Sequence, residues 1–487
     1  MGDLRWLALA GGLGALVVGW LLTVSIQATC AVVLIVLVIA LHQNDRTWGI
    51  VAMFGLWLVA PLLRRLFALI TGPIENDPLS LAPFLATAAI AAVELARVQV
   101  PVTVRRIMLL AAVGFAIGLP AGLVVGPRAA IYAFIAYLAG VSAAVLGFGE
   151  PRLLSDSTLR RVLLIAMPAI AAYAIAQHYL PFPAWDREWL DETEFTSIGD
   201  VTRQEDIRAF SSLNSPGALA PLLGLSLLCY LSIARHRAVS IAGAALVLVA
   251  LSVTFVRSAW VSLIVAGLAH VIASRGRSAR LVLGAGAAVV IATLALAPVS
   301  NTARDVSNRF TSIGDPEADV SATERASSFS QLLPTAVEAP LGHGLGTAGE
   351  PTKLTGESEL RAPDNGYLSL MYQVGPIGFL LVIAALGFAL RAAWRGARAR
   401  GPGEDLRVLL FAILVYMLVQ LSSGDSFYGS HGVILWFVCG QVLGYALAGS
   451  SRPGSTPRAG PPPATSDSGP PPDSGYARPS RAGARVG

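Results

Sequence analysis

Apolar runs close to the ~20 residues that a helix needs to cross a lipid bilayer recur along most of this 487-residue chain. A water-soluble core could not accommodate so many of them. Hydrophobic residues make up 54% of the chain and charged residues only 13%, whereas a soluble domain has roughly 25% charged residues. The sequence therefore predicts an all-α fold, a polytopic helical bundle in a membrane.

The apolar runs predict about 14 membrane-spanning helices, or twelve if neighbouring runs are fused. The first run has no basic segment before it and no small-residue cleavage site after it, so we interpret it as a retained helix. The predicted spans are residues 4–22, 24–41, 48–63, 79–96, 107–125, 129–148, 162–180, 217–234, 239–256, 259–273, 281–297, 366–390, 408–421 and 431–448.

The arginines predict the orientation of the bundle, because cytoplasmic loops retain positive charge. They cluster on alternate connections, within residues 97–106, 152–161, 235–237, 275–280 and 391–407. Both long loops, 181–215 and 298–363, then face outward, and both termini are cytoplasmic. We predict one transmembrane domain over residues 1–449. Residues 450–487 are rich in Pro, Gly, Ser and Arg, which predicts a disordered cytoplasmic tail.

The outer loop 298–363 is too long for a simple connector, and its sequence predicts that it is partly helical. Ser321 and Glu324 have the spacing of a capping box. An apolar stripe follows at Ala322, Ala326, Phe329, Leu333 and Val337. A helix on the membrane surface or against the bundle would explain this pattern.

The sequence predicts neither a disulfide, nor a metal site, nor a nucleic-acid partner. The three cysteines, Cys30, Cys229 and Cys439, lie in apolar runs without CxxC or Cys/His spacing, so neither a disulfide nor a metal site is predicted. The net charge is +5, but no basic cluster lies on a soluble domain, so nucleic acid is not a predicted partner.

Three arginines are candidates for binding an anion at the outer membrane edge. Arg257 separates two apolar runs, and it either snorkels outward or binds a lipid-linked pyrophosphate through its forked guanidinium. Arg309 and Arg325 stand in the outer loop among acidic residues. They form a solvated ion-pair surface, or they join Arg257 in stabilising a diphosphate leaving group.

Glycines at 342, 344, 346 and 349 surround His343, and the run GLGTAG formally matches G-x-G-x-x-G. A dinucleotide site is not predicted, because neither a preceding strand nor a βαβ unit is present in the pattern. A turn that permits close backbone approach is favoured. His343 is then either structural or a contact to sugar or phosphate.

Asp364 and Asn365 directly precede the apolar run that begins near Leu368. Either residue would serve as a helix N-cap. The alternative is catalytic: Asp364 accepts the proton of an attacking sugar hydroxyl at the mouth of the helix.

Four stretches together resemble the O-antigen ligase and polysaccharide polymerase superfamily of bacterial membrane glycosyltransferases. In order, they are IRAFSSLNSPGALAPL from Ile207, TFVRSAW from Thr254, ERASSFSQLLPTAVEAPLGHGLG from Glu324 and DNGYLSLMYQVGPIG from Asp364. The resemblance covers roughly residues 200–390. Ligases carry histidine at the position of Asp364, whereas polymerases often have Asp-Asn there, which favours polymerisation over ligation to a lipid core.

The resemblance implies a function in the bacterial cytoplasmic (inner) membrane. The donor would be an undecaprenyl-pyrophosphate-linked oligosaccharide, the acceptor a second glycan, and no cofactor or metal would be required. Arg257, Arg325 and Asp364 would be catalytic, while Arg309, His343 and Asn365 would bind substrate. Membrane lipid and other polysaccharide-assembly proteins would be partners. Two alternatives stay open, a transporter or lipid flippase and a non-catalytic scaffold for an envelope complex.

Overall fold

The computed structural model describes residues 26–72, 78–192, 198–199, 207–233, 238–276, 320–354, 365–424 and 427–450. Within these ranges every regular element is a helix, which confirms the predicted all-α class. The chain divides into two units, residues 1–447 and 448–487. The predicted tail, 450–487, lies outside the described residues except for its first residue.

Fifteen α-helices of the described residues are numbered here in chain order. They are α1 (Ile26–Asn44), α2 (Arg46–Thr71), α3 (Ala82–Arg97), α4 (Val102–Ala116), α5 (Leu119–Val125), α6 (Pro127–Gly149), α7 (Ser157–Tyr179), α8 (Ala184–Glu192), α9 (Pro216–Ile233), α10 (Ala238–Val253), α11 (Arg257–Ala273), α12 (Val320–Glu338), α13 (Gly366–Arg398), α14 (Glu404–Gln420) and α15 (Gly429–Ser450). Short 3-10 turns cover Pro78–Ser80, Leu153–Ser155, Ser211–Leu213, Glu350–Leu354 and Leu421–Ser423.

Eight of the described helical segments are long and apolar enough to cross a membrane, and three shorter apolar helices, on α9, α10 and α11, accompany them. Each predicted span that falls on described residues coincides with helix, although 107–125 is divided into α4 and α5. The predicted spans 4–22 and 281–297 lie outside the described residues. The multi-pass membrane character is confirmed, whereas the predicted total of about 14 spans is not.

The outward surface of the bundle carries large apolar side chains, as expected for helices that face lipid tails. Examples are Leu109, Ile165 and Leu380, all more than half exposed. Helix α13 has 33 residues, which corresponds to about 50 Å at ~1.5 Å per residue. Its apolar face ends near Phe388, and Arg391, Arg395 and Arg398 follow at the predicted cytoplasmic end.

The inner packing joins consecutive helices as well as helices that are distant in sequence. Helix α13 packs on α4 and α14, α11 packs on α14, α3 on α6, and α7 on α10. The large buried side chains Tyr137, Tyr416 and Trp436 fill the interior between them. Where α6 crosses α15, Gly147 and Gly440 lie so close to the facing backbone that a Cβ atom on either would collide with it. Small residues at such crossings are typical of membrane helix packing.

A buried polar cluster lies at the predicted cytoplasmic end of α1, α2 and α3. The Glu94 carboxylate is 3.3 Å from the His42 imidazole and 3.5 Å from the Arg46 guanidinium. The backbone carbonyl of His42 also accepts a hydrogen bond from Arg97. The sequence shows Glu94 only as an isolated polar group, but the fold gives this carboxylate an imidazole and a guanidinium as partners.

Candidate functional site

The first residues of α11 and α13 meet at one end of the bundle, because both helices run antiparallel to α14. Ser262 in the second turn of α11 donates a hydrogen bond of 2.7 Å to Gln420, the last residue of α14. Tyr367 in the first turn of α13 donates one of 2.7 Å to the carbonyl of Leu418. Arg257 and Asn365 therefore lie at the same end, 108 residues apart in sequence.

Arg257 is the first residue of α11 and is partly exposed. It follows a sharp turn in which Phe255 has a φ of +52°, a left-handed conformation that costs about 1–3 kcal/mol for a residue other than glycine. A cation at a helix N-terminus is unfavourable for the helix dipole. The guanidinium and the positive helix end together favour an anion at this position.

Asn365 is the N-cap of α13. Its side-chain oxygen accepts hydrogen bonds from the backbone N–H of Tyr367 at 3.0 Å and of Leu368 at 3.2 Å. The capping function that the sequence left open between Asp364 and Asn365 therefore belongs to Asn365. Because the cap occupies its oxygen, any contact of Asn365 with a sugar would come from its side-chain NH2 group.

His343 lies in the glycine-rich turn between α12 and α13, partly exposed. Its ring stacks on Tyr372, with centroids 4.2 Å apart and planes at 19°. Its Nε2 lies 3.0 Å from the carbonyl oxygen of Thr335. A carbonyl can only accept, so Nε2 carries a proton, and in the neutral ring Nδ1 is left as a hydrogen-bond acceptor. His343 therefore makes structural contacts through its ring and Nε2, while Nδ1 has the chemistry to contact a hydroxyl.

The glycines let the turn approach α13 at backbone distance, as the sequence predicts. Gly342 has a φ of +81° and Gly375 a φ of +69°. Gly375 interrupts α13 just before Pro376, and a Cβ on either glycine would collide with the backbone that faces it. The Gly344 N–H donates to the carbonyl of Gln373 at 3.1 Å, which joins the turn to the break in the helix.

Gln373 is a fully buried residue that the sequence reasoning did not single out. Its side-chain oxygen accepts from the Gly346 N–H at 2.9 Å, and its NH2 group donates to the Tyr137 hydroxyl on α6 at 3.2 Å. One amide thus fixes the turn that carries His343 against two helices. The sequence did contain a signal for Gln373, which is a glutamine within the apolar run that follows the first residues of DNGYLSLMYQVGPIG. A glutamine buried in an apolar helix needs hydrogen-bond partners.

Arg208 is a second missed residue, since the fold places it beside the turn that leads into Arg257. The neighbouring Ala209 N–H donates to the carbonyl of Val253, the last residue of α10, at 3.0 Å. Arg208 itself is partly exposed. The IRAFSSLN stretch contains this arginine, but no local pattern in the sequence links it to Arg257.

The remaining predicted site residues are not fixed by the structure. Arg325 lies on α12, which packs against α13, but the position of its side chain is not described. Arg309 and Asp364 lie outside the described residues. Helix α12 confirms that a helix lies within residues 298–363, as predicted. Its predicted apolar stripe is not the packed face, because Phe329 and Val337 are 43% and 52% exposed while Ala336 is buried.

Comparison with known proteins assigns the part of the chain that contains this site. No curated protein matches the chain significantly. Residues 242–383 match the family described as O-antigen ligase. That stretch includes Arg257, Arg309, Arg325, His343, Asp364 and Asn365. This stretch is therefore similar to the O-antigen ligase family, which supports the resemblance of the chain to the O-antigen ligase and polysaccharide polymerase superfamily.

Proposed function

We propose that this protein transfers or polymerises an undecaprenyl-pyrophosphate-linked glycan onto a sugar acceptor at the outer face of the cytoplasmic membrane. One observation supports the proposal: Arg257, His343 and Asn365 all belong to the matched stretch and lie at one end of the helical bundle. A lipid-linked substrate presents its diphosphate at the membrane edge. We place the polar groups of the site at that level, because they lie at the end of apolar helices that are long enough to cross a membrane.

The donor is held by its diphosphate. Arg257, with Arg309 and Arg325, supplies fixed positive charge to the two phosphates, and charge-assisted forked contacts suit that ligand. During transfer the bond between the anomeric carbon and the phosphate oxygen breaks, and negative charge builds up on the leaving diphosphate. Cations already in place stabilise this charge more than they stabilise the ground state, which lowers the barrier.

The acceptor hydroxyl attacks the anomeric carbon from the other side of the sugar. Asp364 accepts the hydroxyl proton as the new glycosidic bond forms. The NH2 group of Asn365 and Nδ1 of His343 orient the sugars. The products are the extended glycan and undecaprenyl pyrophosphate. The Asp-Asn pair at 364–365 supports polymerisation rather than ligation.

Transfer from a lipid-linked oligosaccharide donor by the protein in nanodiscs tests this function. Arg257→Ala and Arg325→Ala should each lower the transfer rate by about 10²–10³-fold, because each removes one stabilising group of the leaving charge. Arg400→Ala is the matched control, an exposed arginine in the loop between α13 and α14, at the opposite end of the bundle. Asp364→Asn should also be slow, since an amide cannot accept the proton.

Two outcomes would contradict the proposal. Normal product length from both Arg257→Ala and Arg325→Ala would remove the diphosphate site. Movement of labelled donor across the bilayer without any new glycosidic bond would instead identify a flippase. Among the described residues, the two buried clusters that contain charged side chains lie towards the ends of the helices, which supports an enzyme over a transporter with a charged midplane site.

A further inference from the structure

Side chains of the bundle hold the segment 207–213, which contains Arg208, at Ile207, Phe210 and Ser211. His178 Nδ1 lies 2.8 Å from the carbonyl of Ile207. The Gln177 side-chain oxygen accepts from the N–H groups of Phe210, at 3.2 Å, and Ser211, at 2.5 Å. Ser211 has a φ of +50°, so its backbone is kept in a conformation that it would not choose alone.

A buried ion pair completes this arrangement. Arg65, on α2, donates from Nη1 to the Asp186 carboxylate on α8 at 2.5 Å and from Nη2 to the Ser211 carbonyl at 2.5 Å. Both charged side chains have an exposed fraction of 0%. The second carboxylate oxygen of Asp186 accepts from the Tyr173 hydroxyl and from Gln177, each at 2.7 Å. The guanidinium also lies over the ring of Phe210 at 5.1 Å.

Stability alone is a poor explanation for this pair. Removing two charges from water costs several kcal/mol for each ion, and well-packed apolar residues often stabilise a fold as well or better. Apolar side chains could not replace the directional hydrogen bonds that these polar groups make. Arg65 Nη2 and Gln177 fix the carbonyl and the N–H of Ser211, and Ala209 is bonded to Val253. These bonds fix the backbone of Arg208 beside the turn that leads into Arg257.

We infer that the Arg65–Asp186 pair is a positioning device that holds Arg208 beside Arg257, so that both guanidinium groups meet the donor diphosphate. The inference rests on the proposed function, because it gives that donor site one further cation. Arg65 and Asp186 act through segment 207–213 and are positioning residues.

The double variant Arg65→Met with Asp186→Leu separates positioning from stability, because it leaves no unpaired buried charge. We expect it to reach normal abundance and thermal stability. Its KM for the lipid-linked donor should rise and its kcat/KM should fall, on the order of a hundredfold, while its KM for the acceptor stays unchanged. A double variant with wild-type kinetics for the donor would overturn the inference.

Two further variants provide the controls. Asp186→Asn and Glu94→Gln each replace a buried carboxylate that pairs with a cation, at opposite ends of the bundle. Both should lower thermal stability, but only Asp186→Asn should change the donor KM. In an Arg208→Ala background the Met/Leu pair should have no further effect on the donor KM, because the residue that it positions is gone. A full additional effect there would show that the pair does not act through Arg208.

A readout without catalysis distinguishes failure of this inference from failure of the proposed function. Trypsin cleaves after arginine, and the fixed backbone should protect the Arg208–Ala209 bond in the wild-type protein. The Met/Leu variant should be cut at that bond at least about tenfold faster, because local opening exposes it. Equal cleavage rates would refute the positioning of Arg208 by the Arg65–Asp186 pair, even if the enzyme is a glycosyltransferase. Faster cleavage without any transfer activity in the wild type would refute only the function.

Discussion

Two side chains at the predicted outer end use one polar atom for a hydrogen bond within the protein and have a second polar atom that can contact a ligand. The oxygen of Asn365 caps α13, so its NH2 group is the part that can face a sugar. Nε2 of His343 donates to Thr335, so Nδ1 is the part that can accept from a hydroxyl. The polar atom that is not used within the protein thus defines whether each residue can donate to or accept from a substrate.

At Asn365 the two functions can be separated by substitution. Asn365→Ala should lower the free energy of unfolding by about 1 kcal/mol, because the cap is lost, whereas Asn365→Ser keeps a capping oxygen. Thermal unfolding of the detergent-solubilised protein measures this difference. If the side-chain NH2 group also orients a sugar, Asn365→Ser will be as stable as wild type and still slow in transfer. Equal stability of the Ala and Ser variants would argue against the cap.

At the scale of elements, α13 is one predicted span that the fold divides into two parts. The apolar run predicts a continuous helix over 366–390, and the structure has a helix over Gly366–Arg398 with a break at Gly375. The break frees backbone groups of Gln373 and its neighbours to bond with the turn of His343. The sequence shows Gly375 and Pro376 but not the turn that packs into the break, because that turn lies about thirty residues earlier in the chain.

Gly375→Ala should therefore weaken the site as well as the helix. Its Cβ would collide with the backbone at Pro340 and Gly342, and its φ of +69° disfavours any side chain. We expect a loss of about 1–3 kcal/mol in the free energy of unfolding. Gly387→Ala, in the same helix with nothing within 4 Å of its Cβ, is the control and should be neutral or slightly stabilising. Thermal unfolding and transfer rates compare the two variants, and equal behaviour would contradict the packing argument.

At the scale of the whole molecule, the structure has polar clusters at both ends of an apolar bundle. One end contains Glu94 with His42 and Arg46, and the other contains Arg65 with Asp186. The arginine clusters of the sequence predict that the first end is cytoplasmic. With this orientation, the site of Arg257 and His343 faces outward, where the proposed lipid-linked donor and its acceptor would meet.

Cysteine labelling of intact cells tests the orientation. In a variant with Cys30 replaced by alanine, Glu350→Cys should react with a membrane-impermeant maleimide from outside. Arg400→Cys should react only after the cells are permeabilised, since both positions are exposed but lie at opposite ends of the bundle. Cys229 and Cys439 are buried and should stay unlabelled. Reversed labelling would place the site in the cytoplasm and exclude the proposed donor chemistry.

The sequence by itself determined the membrane class, nearly all of the described helices and the superfamily. These depend on local hydropathy and short motifs, which a chain carries whatever its tertiary contacts. It also indicated a close-packed turn around His343. It did not indicate that Gln373 fixes this turn, that Arg208 lies beside the turn before Arg257, or that Arg65 pairs with Asp186, 121 residues away. Only the tertiary structure decided these, because hydropathy shows which segments enter the membrane, whereas the partner of a buried charge depends on which helices pack together.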